Sequence, residues 1–278
     1  MQLKIYRGNG MNKVDYQNTY NFDQFTDIQQ KEELERLQKQ AMLVSALEQP
    51  IIKKVGIPDS GTLVDIGCGP GFVTAEIARS NQGVDVIGID TSDELLEVAN
   101  NFTAAGIDNL SFRNGDAYSS GFDNDSVDFI YSRLLYQHLE HPEKALEESK
   151  RILRPGGKVC VMDVDDTLQI FYPELPSFHA LQMEAHKQQV AAGGDRRIGR
   201  KLPTLMEQAG LKNIRCNVEG MTTLDIGFEA FFNIVVSFKA QIVGKKGEDM
   251  VAEIENDIAA LEKQPFGMVV VPVAIGEV

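Results

Sequence analysis

Gly67, Gly69 and Gly71 stand at alternate positions in "LVDIGCGPGF", Leu63 to Phe72, between an apolar run and a helical pattern. Asp65 precedes the first glycine by two residues, and Asp90 closes the next apolar run, Val84–Asp90. Glycine at a strand-to-helix handover permits tight turns and lets a ligand lie against the main chain, and an acid ending the neighbouring strand can accept hydrogen bonds from a ribose diol. Asp116 and Ala117 follow an Asn-Gly pair, and Ser132 and Arg133 end a later apolar run with His138 and His141 just beyond it. His138 is the candidate base, needed only where the acceptor of a reaction arrives protonated. Tyr136 could orient such an acceptor or simply pack, and His141 before Pro142 reads as the start of a helix.

Two ligand classes use such a turn. A dinucleotide wants G-x-G-x-x-G with its pyrophosphate at the helix N-terminus, but here the third position of that pattern holds Phe72, and Asp65 would repel the diphosphate. S-adenosylmethionine carries a ribose, an α-amino group and a sulfonium but no phosphate, and so suits both acids. A nicotinamide-dependent oxidoreductase is therefore the weaker reading, and a tight turn without ligand is the bland one.

The elements that must hold these residues alternate. Thr62–Ile66, Val84–Asp90, Leu110–Arg113, Val127–Ser132 and Lys158–Asp163 read as strands; Phe72–Ser80, Asp93–Ala105 and a stretch from Pro142 to "RPGG" read as helices. Thr91 with Glu94 predicts a capping box. This alternation implies βαβ units and a parallel sheet covered on both faces. Beyond it come helical patterns at Ser177–Ala191, Arg200–Ala209, Phe228–Val243 and Asp249–Glu262, a strand near Asn213–Val218 and a closing strand "MVVVPVAI" in which Pro272 predicts an edge or bulge. Before it, a helix from about Gln29 carries Leu34, Leu37, Ala41, Val44 and Leu47 on one face and ends near Pro50.

The motifs "LVDIGCGPG", "VIGID", "NGDA", "VDFIYSRLLYQHL" and "ALEESKRILRPGGKVCVMD" occur in order, and from about Thr62 to Val218 the sequence resembles the class I S-adenosylmethionine-dependent methyltransferases of small-molecule type. The resemblance implies a doubly wound, Rossmann-like, seven-stranded and mostly parallel α/β sheet, with the C-terminal strand antiparallel between the fifth and sixth. It implies that Gly67 and Gly69 line the methionine part of S-adenosyl-L-methionine, Asp65 faces its ammonium, Asp90 holds the ribose, Asp116 and Ala117 meet the adenine, and Ser132 and Arg133 pass along the methionyl end. The expected reaction is an in-line methyl transfer to an oxygen, nitrogen or carbon of a small molecule; a binding module without turnover is the alternative. Residues 1–55 would form an N-terminal helical lid on a methyltransferase domain, 56–278, with a cap at about 164–198 and extra helices at about 228–262.

Composition bounds the partners. With 27 Lys and Arg against 41 Asp and Glu, the net charge of −14 opposes a nucleic-acid partner. No run approaches the apolar length of a membrane span, and three cysteines without CxxC spacing suit a reducing cytoplasm better than a disulfide framework or zinc site. His179, Met183 and His186 share a helical face, yet no carboxylate or cysteine joins them, so no metal is expected. "GGDRRIGRKL", Gly193 to Leu202, is rich in cations and reads first as a charged loop, second as an anion site. The aromatics Tyr16, Tyr20, Phe22, Phe25, Phe171, Tyr172 and Phe178 are candidates for a lid over the acceptor. A homodimer through the tail helices is one arrangement the sequence allows.

Overall fold

The computed structural model describes residues 22–24, 26, 30–31, 33–38, 41 and 54–278. Tyr16, Tyr20, Phe25, Val44, Leu47 and Pro50 lie outside the described residues, while Leu34 and Leu37 fall in the helical stretch 33–38.

Strands β1 (Gly61–Ile66), β2 (Val84–Asp90), β3 (Leu110–Asn114), β4 (Val127–Arg133) and β5 (Leu153–Met162) pair in parallel in the order β3-β2-β1-β4-β5. Their inward residues alternate between two apolar layers. Leu63, Phe129 and Cys160 join α1 (Phe72–Ser80) on one face, and Val64, Ile130 and Val159 join α3 (Pro142–Ile152) on the other. A strand buried on both faces must read as a continuous apolar run, which is why these were legible.

The tail departs from the expected seven strands. Gln169–Tyr172 forms β6, an eighth strand inside the segment expected to be a helical cap. The closing strand β8 (Phe266–Glu277) runs antiparallel between β5 and β7 (Lys212–Thr222), as expected of it, and its first residues also pair with β6. Pro272 therefore pairs with Val218 of β7 on one side and stands at a local edge on the other. It is tolerated because it falls between Val269, the last β8 partner of β6, and Val273, the first of β5.

Two further local expectations are corrected. The helix α2 (Asp93–Val98) is capped by Ser92, whose Oγ accepts from the Leu95 amide at 3.1 Å, in place of a Thr91–Glu94 box, and it continues into a π turn at Ala99–Thr103. The "RPGG" sequence does not precede β5 but bulges within it: Val127 pairs with Leu153 and Phe129 with Lys158, with Gly156 at φ 81° absorbing the extra residues.

A second apolar cluster forms over the end of the sheet. Here α4 (Pro176–Ala191), following β6, and α5 (Leu202–Gln208) precede β7; Thr223–Ile226 (α6), Phe228–Phe232 (α7), a π turn at Asn233–Ser237, α8 (Phe238–Val243) and α9 (Lys245–Ala259) follow it. Phe171, Phe178, Leu181, Phe231, Val236 and Ile254 form its centre. Among the described residues no helix is long and apolar enough to cross a membrane.

Candidate active site

The glycine turn is held to the second strand by its backbone. The amides of Gly67 and Cys68 both donate to the Ile89 carbonyl, at 2.8 and 3.0 Å. Asp90 then uses one carboxylate oxygen on the Gly69 amide at 2.8 Å and the other on the Ser92 amide at 3.0 Å. Each oxygen keeps a further lone pair for a hydroxyl. Burial pushes Asp90 above the usual carboxylate range, with a smaller push from Asp23, while the amides oppose it. Asp23, in a short turn at Phe22–Gln24, closes onto the Ser92 hydroxyl, so the N-terminal segment reaches the mouth of the turn.

Gly67, Gly69 and Gly71 have φ of 77°, 54° and 76°. A Cβ at Gly71 would strike the Phe112 ring at 2.2 Å, whereas one at Gly69 would meet nothing within 4 Å. Gly71 is thus required by packing inside the protein, and Gly69 opens on a cavity of about 520 Å³. That cavity also takes in Asp116, Ala117, Arg133 and His138, and at its far end Gln169, Arg196, Phe238 and Lys239.

The central residues, 64–161, match the family model described as a methyltransferase domain. Curated relatives agree: an uncharacterised methyltransferase of Schizosaccharomyces pombe is 34% identical over 119 residues, 40% of this chain and 43% of its own length. The demethylmenaquinone methyltransferase of Staphylococcus aureus is 30% identical over 123 residues, 44% of this chain and 51% of its own. Over residues 64–161 the chain carries a class I S-adenosylmethionine-dependent methyltransferase domain. The chain spans about half the length of the curated relatives it matches. Among solved structures, that of YcgJ from Bacillus subtilis superposes with a TM-score of 0.59 at 18% identity, over 84% of this chain and 98% of that one, and shares the fold.

In this domain the residues at the turn fit the family's cofactor. Gly69 leaves room for a ligand at the backbone, and the acids around it, Asp90 and Asp116, would accept from hydroxyl and amino groups and offer nothing to a diphosphate. Asp116 already accepts from the Tyr118 amide at 2.6 Å.

Two expected ligands stand behind the wall instead of in it. Asp65 is buried and accepts from the Thr74 hydroxyl at 2.6 Å, which braces α1; burial, then Asp90 and Asp65, raise the Cys68 thiol well above its ordinary value. Ser132 donates to the Ile66 carbonyl at 3.0 Å and ties β4 to β1. A strand's alternation sends every second side chain to the opposite face, and these two point into the layers between sheet and helices.

His138 lines the cavity as a neutral ring. Gln189 Nε2 lies 3.2 Å from its Nδ1, and Phe238 meets it edge-on with centroids 6.2 Å apart. Burial, then the nearby Arg196 and Arg36, lowers it to about 3, so it is a weak proton acceptor. Tyr136 is core. His141 precedes α3 with its ring 3.2 Å from Glu143.

Of the expected lid aromatics, Phe22 reaches the cavity. Phe171 and Phe178 pack against each other at 4.9 Å in the second cluster, and Tyr172 is largely exposed. Sequence reasoning passed over Gln137 and Lys239 and placed Arg196 within a cationic stretch read first as a charged loop; all three are buried at the cavity's far end. A lysine inside "NIVVSFKAQIV" was the available signal, because a cation on an otherwise apolar helix calls for a buried partner.

Proposed function

We propose that the chain transfers a methyl group from S-adenosyl-L-methionine to a small molecule held in the far half of the same cavity. The supporting observation is that one cavity of about 520 Å³ joins the glycine turn and Asp90 to a chamber walled by β8 and the 234–239 helix. A concave site of this size suits a small molecule largely enclosed by its walls. Bound cofactor would supply an electrophilic methyl on sulfur.

The chain's own residues orient and enclose. Asp90 would hold the ribose hydroxyls, Gly67, Gly69 and Arg133 the methionyl end, and Asp116 and Ala117 the adenine edge. Phe22, Leu37 and Phe238 would keep water from the reacting atoms. With His138 held neutral and weakly basic, the favoured acceptor is an atom with its own lone pair or one that enters already ionised; His138 then donates or packs and does not abstract. A phosphoethanolamine N-methyltransferase of Haemonchus contortus, which shares the fold at a TM-score of 0.53 and 20% identity over 82% of this chain and 52% of its own, was crystallised with phosphomonomethylethanolamine and S-adenosylhomocysteine. The three free thiols support a reducing compartment, the cytoplasm.

Calorimetric titration with S-adenosylhomocysteine tests the cofactor half: we expect binding by the wild type and at least a tenfold loss in Asp90→Asn. Wild-type affinity in that variant would reject the site. Incubation of a small-molecule extract with labelled cofactor tests turnover, and absence of any labelled product would favour a binding module instead.

A further inference from the structure

The far end of the cavity buries two cations against one full counter-charge. Arg196 and Lys239 are 3% and 1% exposed. Arg196 donates from Nε and Nη2 to the Asp166 carboxylate at 2.5 and 2.9 Å, and from Nη1 to Gln137 Oε1 at 2.9 Å. Lys239 Nζ donates to Gln169 Oε1 at 2.5 Å and to the Val235 carbonyl at 2.7 Å, and lies 3.5 Å from Asp166 Oδ1. Among the described residues the other charged groups nearby do not complete the balance. Asp163 is sealed on the Val164 and Gln137 amides and pushed up to about 7 by burial, so it is only partly ionised at neutral pH. Arg36 pairs with Glu33, and Glu219 with Lys54 at 3.7 Å.

Asp166 thus serves both Arg196 and Lys239, and among the described residues positive charge exceeds negative inside a largely apolar chamber, with burial lowering Lys239 to about 8. Burial of that kind is costly unless something neutralises it. The arrangement is also directional. Arg196 stacks on Phe238, its guanidinium carbon 5.3 Å from the ring centroid, and each terminal nitrogen keeps a second N–H beyond the bond already made. Met221, Ile234, Val235, Val269 and Val271 supply the apolar wall.

We propose that this end of the cavity binds the oxyanion of a small, otherwise apolar methyl acceptor, a carboxylate or phosphate ester, with Arg196 and Lys239 as its counter-charges. The identity of that anion as an acceptor rests on the methyltransferase reading above; its binding does not. A guanidinium offers paired donors to two oxygens of one anion, and an apolar wall favours an organic body behind it. In "GGDRRIGRKL" only the first arginine serves this site: Arg200 pairs with Asp165, and Lys201 with Asp195 at 2.6 Å, outside it.

The test compares benzoate, phenyl phosphate and neutral benzamide by calorimetry on the full chain, with and without saturating S-adenosylhomocysteine. At least one anion should bind tenfold or more tightly than benzamide, and which one does so identifies the oxyanion. Lys239→Met, which keeps the volume and removes the charge, should erase that preference while S-adenosylhomocysteine binds as before. Equal affinity for anions and amide in the wild type, or no binding of either anion, overturns the proposal, and this comparison stands even where the variant does not fold. Failure to bind S-adenosylhomocysteine would instead overturn the cofactor assignment, and the titrations without it still decide the anion site.

Discussion

Asp90 joins three things at one carboxylate: the Gly69 amide, the Ser92 amide and the open end of the cavity. The glycines beside it separate packing from binding at the level of single atoms. Gly71→Ala places a methyl 2.2 Å from the Phe112 ring at a φ of 76°, and should cost about 1–3 kcal/mol in urea denaturation through overpacking, with more from the backbone. Gly69→Ala meets no neighbour, so its stability cost is confined to a left-handed backbone, roughly 1 kcal/mol. Its methyl enters the cavity, however, and S-adenosylhomocysteine affinity should fall at least tenfold. If the two variants lost stability and affinity in equal proportion, the division between a packing glycine and a cavity glycine would be wrong.

At the scale of elements, the cavity is assembled by contacts between segments far apart in the chain. Ser92 caps α2 through the Leu95 amide and also receives Asp23 of the N-terminal turn. Ser92→Ala should therefore cost about 1 kcal/mol of stability and also free the N-terminal segment, seen as faster proteolysis near residue 23 than in the wild type. Asp166 pins the turn after β5, the loop after α4 and helix α8 through Arg196 and Lys239. Asp166→Asn should destabilise by about 3 kcal/mol or more, because it leaves two buried cations unbalanced, and Lys239→Met in the same chain should restore part of the loss. The π turn at Asn233–Ser237 immediately precedes Phe238 and Lys239, both of which line the chamber. Such a turn shifts the helical phase of the residues after it, and π turns recur at functional sites for that reason.

Across the whole molecule, two buried groups give opposing pH dependences. His138 is held near 3 when folded against 6.5 when exposed, so the unfolded chain takes up more protons between those values and stability rises with pH across that window. Asp163 is raised from 3.8 to about 7, so the folded chain holds the extra proton and stability is lost as pH rises through that range. Between about pH 4 and 6.5 the two slopes oppose each other. Urea midpoints of the wild type should change little there, whereas Asp163→Asn should show the rising His138 slope by itself. A wild-type-like profile in that variant would contradict the neutral, buried state of His138.

The legibility of each residue in the sequence depended on what it contacts. The parallel strands, the glycine turn, Asp90 and the closing strand between β5 and β7 were readable because burial on both faces forces continuous apolar runs, and because a left-handed turn demands glycine where it stands. These are local constraints, written in adjacent residues. Asp65 and Ser132 were expected to face the ligand, and only the packed sheet decided that they face Thr74 and Ile66. The choice between a charged loop and an anion site at Arg196 had the same character. A charge acquires its meaning from the field around it, and Asp166, Gln137 and Lys239 come together there from separate stretches of chain. Sequence determined the scaffold and the glycine-turn end of the cavity; tertiary structure alone decided the end at Arg196 and Lys239, because electrostatic balance depends on distances in space and not on spacing along the chain.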